Sequence, residues 1–271
     1  MNFAIQKIGL IAGNGKFPFL FARAAKDQGL KVIAAGIKGD TSLFLYLCVD
    51  KLVFFKVGDL EKLFSYFQEQ GITKVVMAGQ VSSRNLFDPR VELDEEFQEL
   101  FKALENRKAD TIFSAVARKL KEKNMDLLDS TSLLTGYLAP RGTLTKRGPS
   151  LAELEDIDFG KQIAKSMGDL DVGQTVVIKD KAIVAIEAME GTDQSILRGG
   201  TIAQKGAVVV KMSKPQQDFR FDVPVIGPRT LKKMAKAKAS CLAIESGKTL
   251  IIDREKCVKL ANKYQICIVS S

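Results

Sequence analysis

The sequence predicts an α/β protein with two domains: an amino-terminal, Rossmann-like domain built on a parallel sheet, and a mixed α/β carboxy-terminal domain. Three observations support this prediction. Apolar strand-like runs alternate with helical periods through the first half, a proline- and glycine-rich stretch interrupts the pattern at 139–150, and shorter β-rich runs follow. A chain of 271 residues can bury one large or two modest hydrophobic cores.

The first domain (1–138) is predicted element by element. Short apolar runs that end at turn residues favour strands, and apolar positions that recur every three or four residues favour helices. Gly29 and Gly71 each follow a helical period, where glycine commonly ends a helix. The resulting order is strand 7–12, helix 17–28, strand 31–35, helix 60–70, strand 74–78 and two helices with charged outer faces at 94–106 and 109–124.

Segment 43–55 is rich in leucine and aromatic residues. We favour core strands and their connection as the explanation of this composition. A patch that contacts a membrane is the alternative, because a contiguous exposed apolar surface is typical of such sites.

Residues 139–150 include two prolines and two glycines without apolar periodicity, and we interpret them as the linker between the domains. The second domain (151–271) then shows shorter periods of both kinds. They predict helices at 151–167, 229–238 and 254–263, and strands at 174–179, 182–188, 207–212, 249–252 and 266–270.

The composition excludes several kinds of chemistry. The chain has no histidine, so Ser-His-Asp triads, Cys-His pairs and histidine-ligated metal sites are excluded. Its four cysteines, Cys48, Cys241, Cys257 and Cys267, form no C-x-x-C pair, and we expect them to be core thiols. Any catalysis must therefore use carboxylates, lysines, hydroxyls and a hard metal ion.

The charge balance favours an anionic partner. Lysine and arginine number 41 against 32 acidic residues, which gives a net charge of +9. The chain lacks an arginine-rich tract, an RNA-binding aromatic signature and a zinc finger, so we expect no nucleic-acid partner. No apolar run approaches the ~20 residues of a spanning helix, and the first segment lacks a signal-peptide layout. We therefore expect a cytoplasmic protein.

The first predicted strand ends at a glycine turn, Gly13-Asn14-Gly15-Lys16. Its spacing does not match a P-loop, because five residues separate Gly9 from Gly15, and a proline stands where a dinucleotide-binding loop needs its third glycine. The turn nevertheless joins a strand end to the first turn of a helix, where backbone N–H groups and the helix dipole attract anions. A ligand-binding turn and a plain left-handed connection both stay open.

A second segment places Glu187, Glu190 and Asp193 at the end of a predicted strand, with Thr192 among them and Arg198 in the helical turns that follow. Carboxylates beside a turn are the hard oxygen ligands that Mg²⁺ prefers, and the ion would keep several waters for a phosphate to displace. A helix capped by Thr192 or Asp193 is the alternative.

A third segment is a proline-rich loop that combines cations and acids. Lys214 and Arg220 stand close in sequence to Gln217, Asp218 and Asp222, and three prolines restrict the backbone around them. Such a rigid loop can hold a guanidinium and a metal-bound carboxylate against a diphosphate. Surface ion pairs are the alternative.

A fourth segment brings Asp171 and Gln174 to the entrance of the predicted strand at 174–179. The segment is either part of a binding site or only a turn, and the two interpretations are equally weighted.

Five stretches in this order resemble the LpxI-type UDP-2,3-diacylglucosamine hydrolase family of lipid A biosynthesis. Each stretch is weakly specific by itself, but five in sequence, covering nearly the whole chain, are strong. They are GLIAGNGKFP, DVGQTVVI, EAMEGTD, KPQQDFRFDVPVIGPRT and ESGKTLIIDRE.

The resemblance implies an activity and a cofactor. It implies a two-domain enzyme whose domains form a chamber around the substrate, and a Mg²⁺-dependent hydrolysis of the diphosphate to UMP and a diacylglucosamine 1-phosphate. In-line attack by a metal-bound or carboxylate-oriented water needs no histidine. The resemblance leaves a peripheral contact with the inner-membrane surface and a homodimer open.

The resemblance also implies the roles of particular residues. Asp222 would bind the metal or orient the water, and cationic side chains would take phosphate oxygens as charge builds in the transition state. The candidate catalytic residues are Asp222, Asp218 and Arg220; the candidate metal ligands are Asp222, Glu190 and Asp193; and the candidate substrate-binding residues are Gly13, Asn14, Gly15, Lys16, Gln80, Gln174, Thr192, Arg198, Lys214 and Gln217.

One position departs from the family pattern. Where the family commonly has a histidine before an Ala-Asp pair, this chain has Lys108-Ala109-Asp110. Any role of the family's imidazole is therefore in doubt here. The alternative function is a non-enzymatic nucleotide- or phospholipid-binding α/β protein, which the basic charge and the lack of an unambiguous nucleophile favour.

Overall fold

The computed structural model describes residues 6–82, 91–106 and 108–271, and it confirms the predicted α/β class. By its internal contacts the chain divides into two compact units. The first consists of Met1–Leu134 together with the short segment Asp218–Asp222, and the second consists of Thr135–Gln217 and Val223–Ser271. The segment Asp218–Asp222, which comes late in the sequence, thus belongs to the first unit. A division of the sequence into two consecutive domains places this segment in the second domain instead.

The first unit is built around a fully parallel sheet of five strands in the order β3-β2-β1-β4-β5. Strands β1, β2 and β4 are mostly buried apolar runs, as expected of a parallel sheet covered on both faces, whereas the edge strand β3 is partly exposed. The elements are β1 (Lys7–Ala12), α1 (Phe17–Asp27), β2 (Lys31–Ile37), the 3-10 helix η1 (Leu43–Cys48), β3 (Lys51–Phe55), α2 (Leu60–Glu69), β4 (Lys74–Ala78), α3 (Glu95–Lys102), α4 (Ala109–Glu122) and β5 (Asp126–Leu127).

The 3-10 helix η1 is only partly buried, whereas the sequence favours core strands and their connection for 43–55. A 3-10 helix repeats every three residues, so its side chains fall into three columns. One column, Leu45 and Cys48, is buried, whereas the other two, which contain Leu43, Phe44, Tyr46 and Leu47, are exposed. The core prediction is therefore wrong for those four residues, because a single narrow helix on a domain surface can bury only one of its columns.

The second unit is built around a mixed sheet of six strands in the order β6-β13-β11-β9-β7-β8, with a separate parallel pair of β10 and β12. Strands β9, β11 and β13 are parallel neighbours, and the strands outside them run antiparallel. The elements are β6 (Gly142–Thr143), α5 (Leu151–Asp169), β7 (Thr175–Lys179), β8 (Ala182–Ile186), α6 (Thr192–Ala203), β9 (Val208–Lys211), β10 (Val225–Ile226), α7 (Pro228–Lys236), β11 (Cys241–Ile244), β12 (Leu250–Ile251), α8 (Arg254–Lys263) and β13 (Cys267–Ser270).

Strand β11, which lies between β9 and β13 in this sheet, is missing from the sequence prediction. All four of its residues are buried, so its sequence shows no alternation between apolar and polar positions. A four-residue apolar run carries too little periodicity to be assigned as strand or helix.

Within the described parts of the chain, every helix is too short or too polar to span a bilayer.

Residues 139–150, interpreted as a linker, are packed into the second unit. Strand β6 pairs with β13, and the Ala139 amide donates to Thr249 O at 2.8 Å. The Arg147 guanidinium forms a bidentate pair with Glu153 at 2.7 and 2.9 Å, and also donates to Ser240 O and Gln265 O. This arginine therefore ties the start of α5 to the segments that precede β11 and β13.

Glu153 also belongs to the cap at the start of helix α5. The Ser150 side chain accepts from the Glu153 amide at 3.2 Å, and the Glu153 carboxylate accepts from the Ser150 amide at 2.8 Å, which is a capping box. Burial would raise the pKa of Glu153, but the hydrogen bonds from Arg147 and its other donors outweigh burial and lower the pKa to about 2. The folded state therefore strongly favours the ionised carboxylate.

We expect Glu153→Gln to lower the free energy of unfolding by about 3 kcal/mol at pH 7, because it leaves the half-buried Arg147 guanidinium without its counter-charge. A lowered pKa in the folded state adds stability that is complete above the ordinary pKa of 4.5 and is lost as the pH falls toward about 2. Urea unfolding of the full chain at several pH values measures both effects.

The matched control is Glu155→Gln, which removes the exposed pair between Glu155 and Lys181. Exposed pairs contribute little, so this variant should unfold like the parent chain. Equal destabilisation by the two substitutions would contradict the role given to Glu153.

Candidate active site

The glycine turn after β1 packs against the turn after β4. The Gly13 amide donates to Ala78 O at 2.8 Å, and Asn14 and Gln80 exchange backbone hydrogen bonds of 2.7 and 3.2 Å. A Cβ atom at Gly13 would lie 2.6 Å from Gln80 O, so no larger residue fits there. The structure gives Gly13 a packing role, and its contact with a ligand stays a prediction.

Gly15 differs from Gly13 in its surroundings. It has a φ of 95°, a conformation that favours glycine, and a Cβ atom there would meet nothing within 4 Å. The next residue, Lys16, is exposed and occupies the N-cap position of α1 without a side-chain cap hydrogen bond. The open side of the turn and the positive end of the α1 dipole therefore face the same region, as an anion-binding turn requires.

The segment Asp218–Asp222 is fixed to the first unit through Ser130, which follows β5. The Ser130 amide donates to Phe219 O at 3.0 Å, and its fully buried hydroxyl oxygen lies 2.7 Å from Arg220 O and 2.6 Å from Met77 O. The hydroxyl can donate its single proton to either carbonyl. The segment is thereby held close to Met77, near the carboxyl end of β4. Met77 directly precedes Ala78, whose carbonyl oxygen accepts the hydrogen bond from the glycine turn.

An aromatic contact completes this attachment. The Phe221 ring stacks on Phe113 of α4 with 5.6 Å between the ring centroids, and it packs against the core of the first unit. Aromatic pairs of this kind contribute about 0.5–1.5 kcal/mol beyond their area burial. Arg220 and Asp222, on either side of Phe221, therefore lie on a backbone that is held by the Ser130 hydrogen bonds and by the contact between Phe221 and Phe113.

Asp218 and Arg220 form a bidentate ion pair. Asp218 accepts from Arg220 Nε at 2.9 Å and from Nη2 at 2.6 Å. The hydrogen bonds from Arg220 lower the pKa of Asp218, and the same pair raises the pKa of Arg220. The carboxylate of Asp218 thus orients the guanidinium. Asp222 is linked to this turn by its amide, which donates to Asp218 O at 2.9 Å.

Arg220 also lines an open cavity of about 410 Å³ on the outer side of α4. Two more cations, Arg118 and Lys121, line the same cavity beside Glu122. This arrangement gives Arg220 cationic neighbours that its own loop sequence does not indicate. The cavity can accept an anionic group, because three positive side chains face one carboxylate there.

In the second unit, a buried group forms around Lys211 at the end of β9. Lys211 Nζ donates to Thr192 Oγ1 at 2.9 Å and lies 3.3 Å from Thr175 Oγ1, and Thr192 donates to Glu187 Oε1 at 2.8 Å. The other carboxylate oxygen, Glu187 Oε2, is buried 3.7 Å from Lys211 Nζ and has no hydrogen-bond partner among the residues that the structure describes. Buried carboxylate oxygens normally accept hydrogen bonds, so Glu187 Oε2 is suited to a donor from a ligand.

The two predicted metal ligands of this unit are each paired with an arginine. Glu190 binds Arg198 at 2.6 Å, and Asp193 binds Arg229 at 2.5 Å. Burial would raise the pKa of Glu190, but the hydrogen bond from Arg198 helps to lower it. The alternative of a helix capped by Thr192 or Asp193 is wrong in its cap residue, since the N-cap of α6 is Gly191, which has a φ of 81° and supplies no side chain.

Lys214 and its neighbours form a third group in the second unit. Lys214 Nζ lies 2.6 Å from Asp171 Oδ1, and the Lys214 amide donates to Gln217 Oε1 at 2.6 Å. Gln174 is joined to the end of β9 by its carbonyl, which accepts from the Met212 amide at 3.0 Å. The predicted binding residues Lys214, Gln217 and Gln174 therefore lie along the connected segments around β7 and β9.

The three predicted metal ligands are divided between the two units. Asp222 belongs to the first unit, and Glu190 and Asp193 belong to the second. In the residues that the structure describes, no group of three or more aspartate, glutamate, cysteine or histidine side chains is arranged to hold a metal ion.

The comparison with protein families separates the chain at the same region as its contacts do. Residues 7–137 match the family model described as the LpxI N-terminal domain, and residues 140–269 match the LpxI C-terminal domain. The chain belongs to the LpxI family. A curated member, "UDP-2,3-diacylglucosamine pyrophosphatase LpxI" of Caulobacter vibrioides (strain ATCC 19089 / CIP 103742 / CB 15), is 27% identical over 98% of this chain and 97% of its own length.

Solved structures with local similarity come from other proteins. An ADP complex of N5-carboxyaminoimidazole ribonucleotide synthetase is 15% identical over 64% of this LpxI chain and 32% of its own, with a TM-score of 0.28. The biotin carboxylase domain of Hydrogenobacter thermophilus 2-oxoglutarate carboxylase is 14% identical over 75% of this chain and 43% of its own, with a TM-score of 0.29. Similarities this low carry no argument about fold or function.

The sequence analysis missed several residues of these groups. Ser130 and Arg118 lie outside the five family stretches, and Arg229 lies within one of them but was given no role, although Ser130 follows a strand of the parallel sheet, where functional side chains commonly gather. Ser130 contacts Met77 and Arg220 across 53 and 90 positions, and Arg229 pairs with Asp193 from the segment before it, and such pairings cannot be found from local sequence patterns.

We expect Ser130→Ala to lower the free energy of unfolding by about 1–3 kcal/mol, because it leaves buried carbonyl oxygens without a donor. It should also lower kcat by loosening Asp218–Asp222. The control is Ser132→Ala, which changes an exposed hydroxyl two residues away. Urea unfolding and steady-state kinetics of both variants test the role of Ser130, and full activity in the Ser130 variant would contradict it.

Proposed function

We propose that this LpxI-family protein hydrolyses the diphosphate of UDP-2,3-diacylglucosamine, giving UMP and 2,3-diacylglucosamine 1-phosphate, in lipid A biosynthesis. The observation that carries this proposal is the similarity, over 98% of this chain, to a protein named for that pyrophosphatase activity. The histidine-free sites agree with it, because phosphoryl transfer depends mainly on positioning and on electrostatic stabilisation.

In this proposal the cations bind phosphate oxygens. Arg220, oriented by Asp218, donates to the diphosphate as negative charge builds, and Lys214 and Arg198 bind further oxygens. Asp218 is then a positioning residue, because both of its oxygens are engaged by Arg220. Asp222 orients the attacking water and accepts its proton.

Polar groups around these cations recognise the rest of the substrate. The turn of Gly13, Asn14, Gly15 and Lys16, with Gln80 beside it, binds the nucleotide or the glucosamine through backbone and side-chain donors. Thr192, Gln174 and Gln217 supply further hydrogen bonds. The chamber between the domains that the family resemblance implies stays a prediction.

We also propose Mg²⁺ as the cofactor, with Asp222 as its principal carboxylate and the diphosphate completing its coordination. Bound there, the ion would neutralise phosphate charge and lower the pKa of a coordinated water. Glu190 and Asp193 can contribute only if they leave Arg198 and Arg229, so we assign them a secondary place. A cytoplasmic location, a homodimer and contact with the inner membrane belong to the same proposal.

The decisive experiment incubates the purified protein with UDP-2,3-diacylglucosamine and measures UMP, with Mg²⁺ or with EDTA. We expect Mg²⁺-dependent release of UMP, and we expect Asp222→Asn to lower kcat by about 10²–10³-fold, a loss typical of a group that acts in the transition state. The control variant is Asp158→Asn on the exposed face of α5. Undiminished release in EDTA would contradict the metal, and near-normal kcat in the Asp222 variant would contradict its role.

A second prediction concerns the buried carboxylate of Glu187. If Glu187 Oε2 accepts a hydrogen bond from the substrate, Glu187→Gln should raise KM by about tenfold or more, since a hydrogen bond to a charged group is worth about 1.5–3 kcal/mol. The exposed Glu69→Gln is the control. Substrate titrations of the three proteins measure this, and an unchanged KM in the Glu187 variant would refute the contact.

The alternative function is a non-enzymatic nucleotide- or phospholipid-binding protein. The basic net charge of +9 favours it, together with the pairing of most candidate acids with cations. Calorimetric binding of UDP-2,3-diacylglucosamine without any release of UMP would support this alternative over hydrolysis.

A further inference from the structure

The first unit exposes a contiguous apolar surface on η1. Leu43, Phe44, Tyr46 and Leu47, which we call the η1 patch, are between 61 and 71% exposed. Four exposed apolar side chains within five residues of one short helix, interrupted only by the buried Leu45, differ from the scattered single apolar residues that are normal on protein surfaces. Packing in the core of the unit therefore does not account for these four apolar side chains, and their exposure requires another physical explanation.

We propose that the η1 patch docks the protein on an anionic phospholipid bilayer. This inference rests on the proposed function, because a substrate with two acyl chains partitions strongly into membranes and must be taken from one. It adds the residues through which the protein meets that membrane.

The composition of the η1 patch suits the interfacial layer of a bilayer. Leucine and phenylalanine side chains enter the boundary between headgroups and acyl chains, and aromatic rings such as those of Phe44 and Tyr46 are enriched at that depth. The buried column, Leu45 and Cys48, holds the helix on its own unit. The apolar side chains of the patch are thus available to lipid without any loss of core packing.

The charges around the patch are complementary to an anionic surface. Lys38 lies five residues before Leu43, and Arg23 lies on α1, the helix that packs against η1. Both side chains are exposed, and neither has an ion pair among the described residues. Cations beside an exposed apolar helix strengthen its attraction to acidic lipids.

The two carboxylates that flank η1 are bound within the fold. Asp40 Oδ2 accepts from the Ser82 amide at 3.1 Å, and Asp50 Oδ2 accepts from the Val32 amide at 2.9 Å. Asp50 also lies 3.8 Å from Lys26 Nζ. Their negative charges are partly compensated, so the surroundings of the patch stay favourable to an anionic membrane.

The start of η1 is fixed beside the glycine turn. The Thr41 hydroxyl accepts from the Ile37 amide at 2.7 Å and donates to Ala12 O at 2.5 Å, directly before Gly13. A membrane-bound η1 patch would therefore keep the proposed substrate turn near the lipid headgroups. This position favours a bilayer over other apolar partners, because the turn needs access to a lipid-borne substrate.

The first test uses vesicles that lack UDP-2,3-diacylglucosamine, so its result does not depend on catalysis. The full-length protein is co-sedimented with vesicles of phosphatidylcholine alone or with added phosphatidylglycerol. We expect binding to the acidic vesicles, and we expect Phe44→Ser/Leu47→Ser to weaken it by at least about tenfold, since each substitution removes a large buried apolar side chain from the bound state.

The matched control is Leu151→Ser/Ile202→Ser, which removes two equally exposed apolar side chains from the second unit. It should bind vesicles like the parent protein. Equal binding by the η1 variant and the parent, or no binding of the parent to acidic vesicles, would overturn the proposal.

Two further outcomes identify a different occupant of the η1 patch. If Phe44→Ser/Leu47→Ser converts a dimer into a monomer in light scattering while vesicle binding is unchanged, the patch binds a second copy of the chain. If it lowers hydrolysis equally for detergent-dispersed and vesicle-borne substrate, the patch contacts the acyl chains of single substrate molecules. Either outcome overturns bilayer docking.

The detergent assay also separates this inference from the proposed function. We expect Phe44→Ser/Leu47→Ser to retain parental kcat/KM on detergent-dispersed substrate and to lose about tenfold on vesicle-borne substrate. Absence of hydrolysis by the parent in detergent would refute the proposed function, whereas the vesicle-binding result would still stand by itself.

Discussion

The attachment of Asp218–Asp222 to Ser130 is the interaction on which the candidate catalytic group depends. A few hydrogen bonds to backbone carbonyls and one stacked aromatic pair hold a short segment, late in the sequence, on the parallel-sheet unit. Without that attachment, Arg220 and Asp222 would lie on a proline-rich loop with no fixed relation to the glycine turn. The buried hydroxyl therefore supports function through position, because it contributes no charge of its own.

Paired charges recur among the candidate site residues of each unit. Arg220, Arg198 and Lys214 each contact a carboxylate of the fold, so the cations are held in place before any ligand is present. Such pairing costs little reorganisation when a phosphate binds, and it fixes the direction in which each donor points. It also means that several acids that look like metal ligands in sequence are engaged in orienting cations.

The two units differ in the feature that distinguishes each of them: an ion pair in the second unit and an exposed apolar surface on the first. The second unit ties its sheet and helix α5 together through the ion pair of the half-buried Arg147 with the buried Glu153. The first unit leaves the η1 patch outside its core. A surface of this kind has a cost in solubility, and a lipid-borne substrate provides a physical reason to keep it.

The sequence alone determined the α/β class, most helices and strands, and the family, because these depend on local periodicity and on stretches of consecutive residues. It also marked Asp218, Arg220, Glu190 and Lys214 as chemically promising. The tertiary structure decided their partners, since Ser130 and Arg229 meet their contacts only through the fold. It likewise decided that η1 is exposed and that β11 is a central strand, because burial depends on neighbours distant in sequence, and a short apolar run does not specify them.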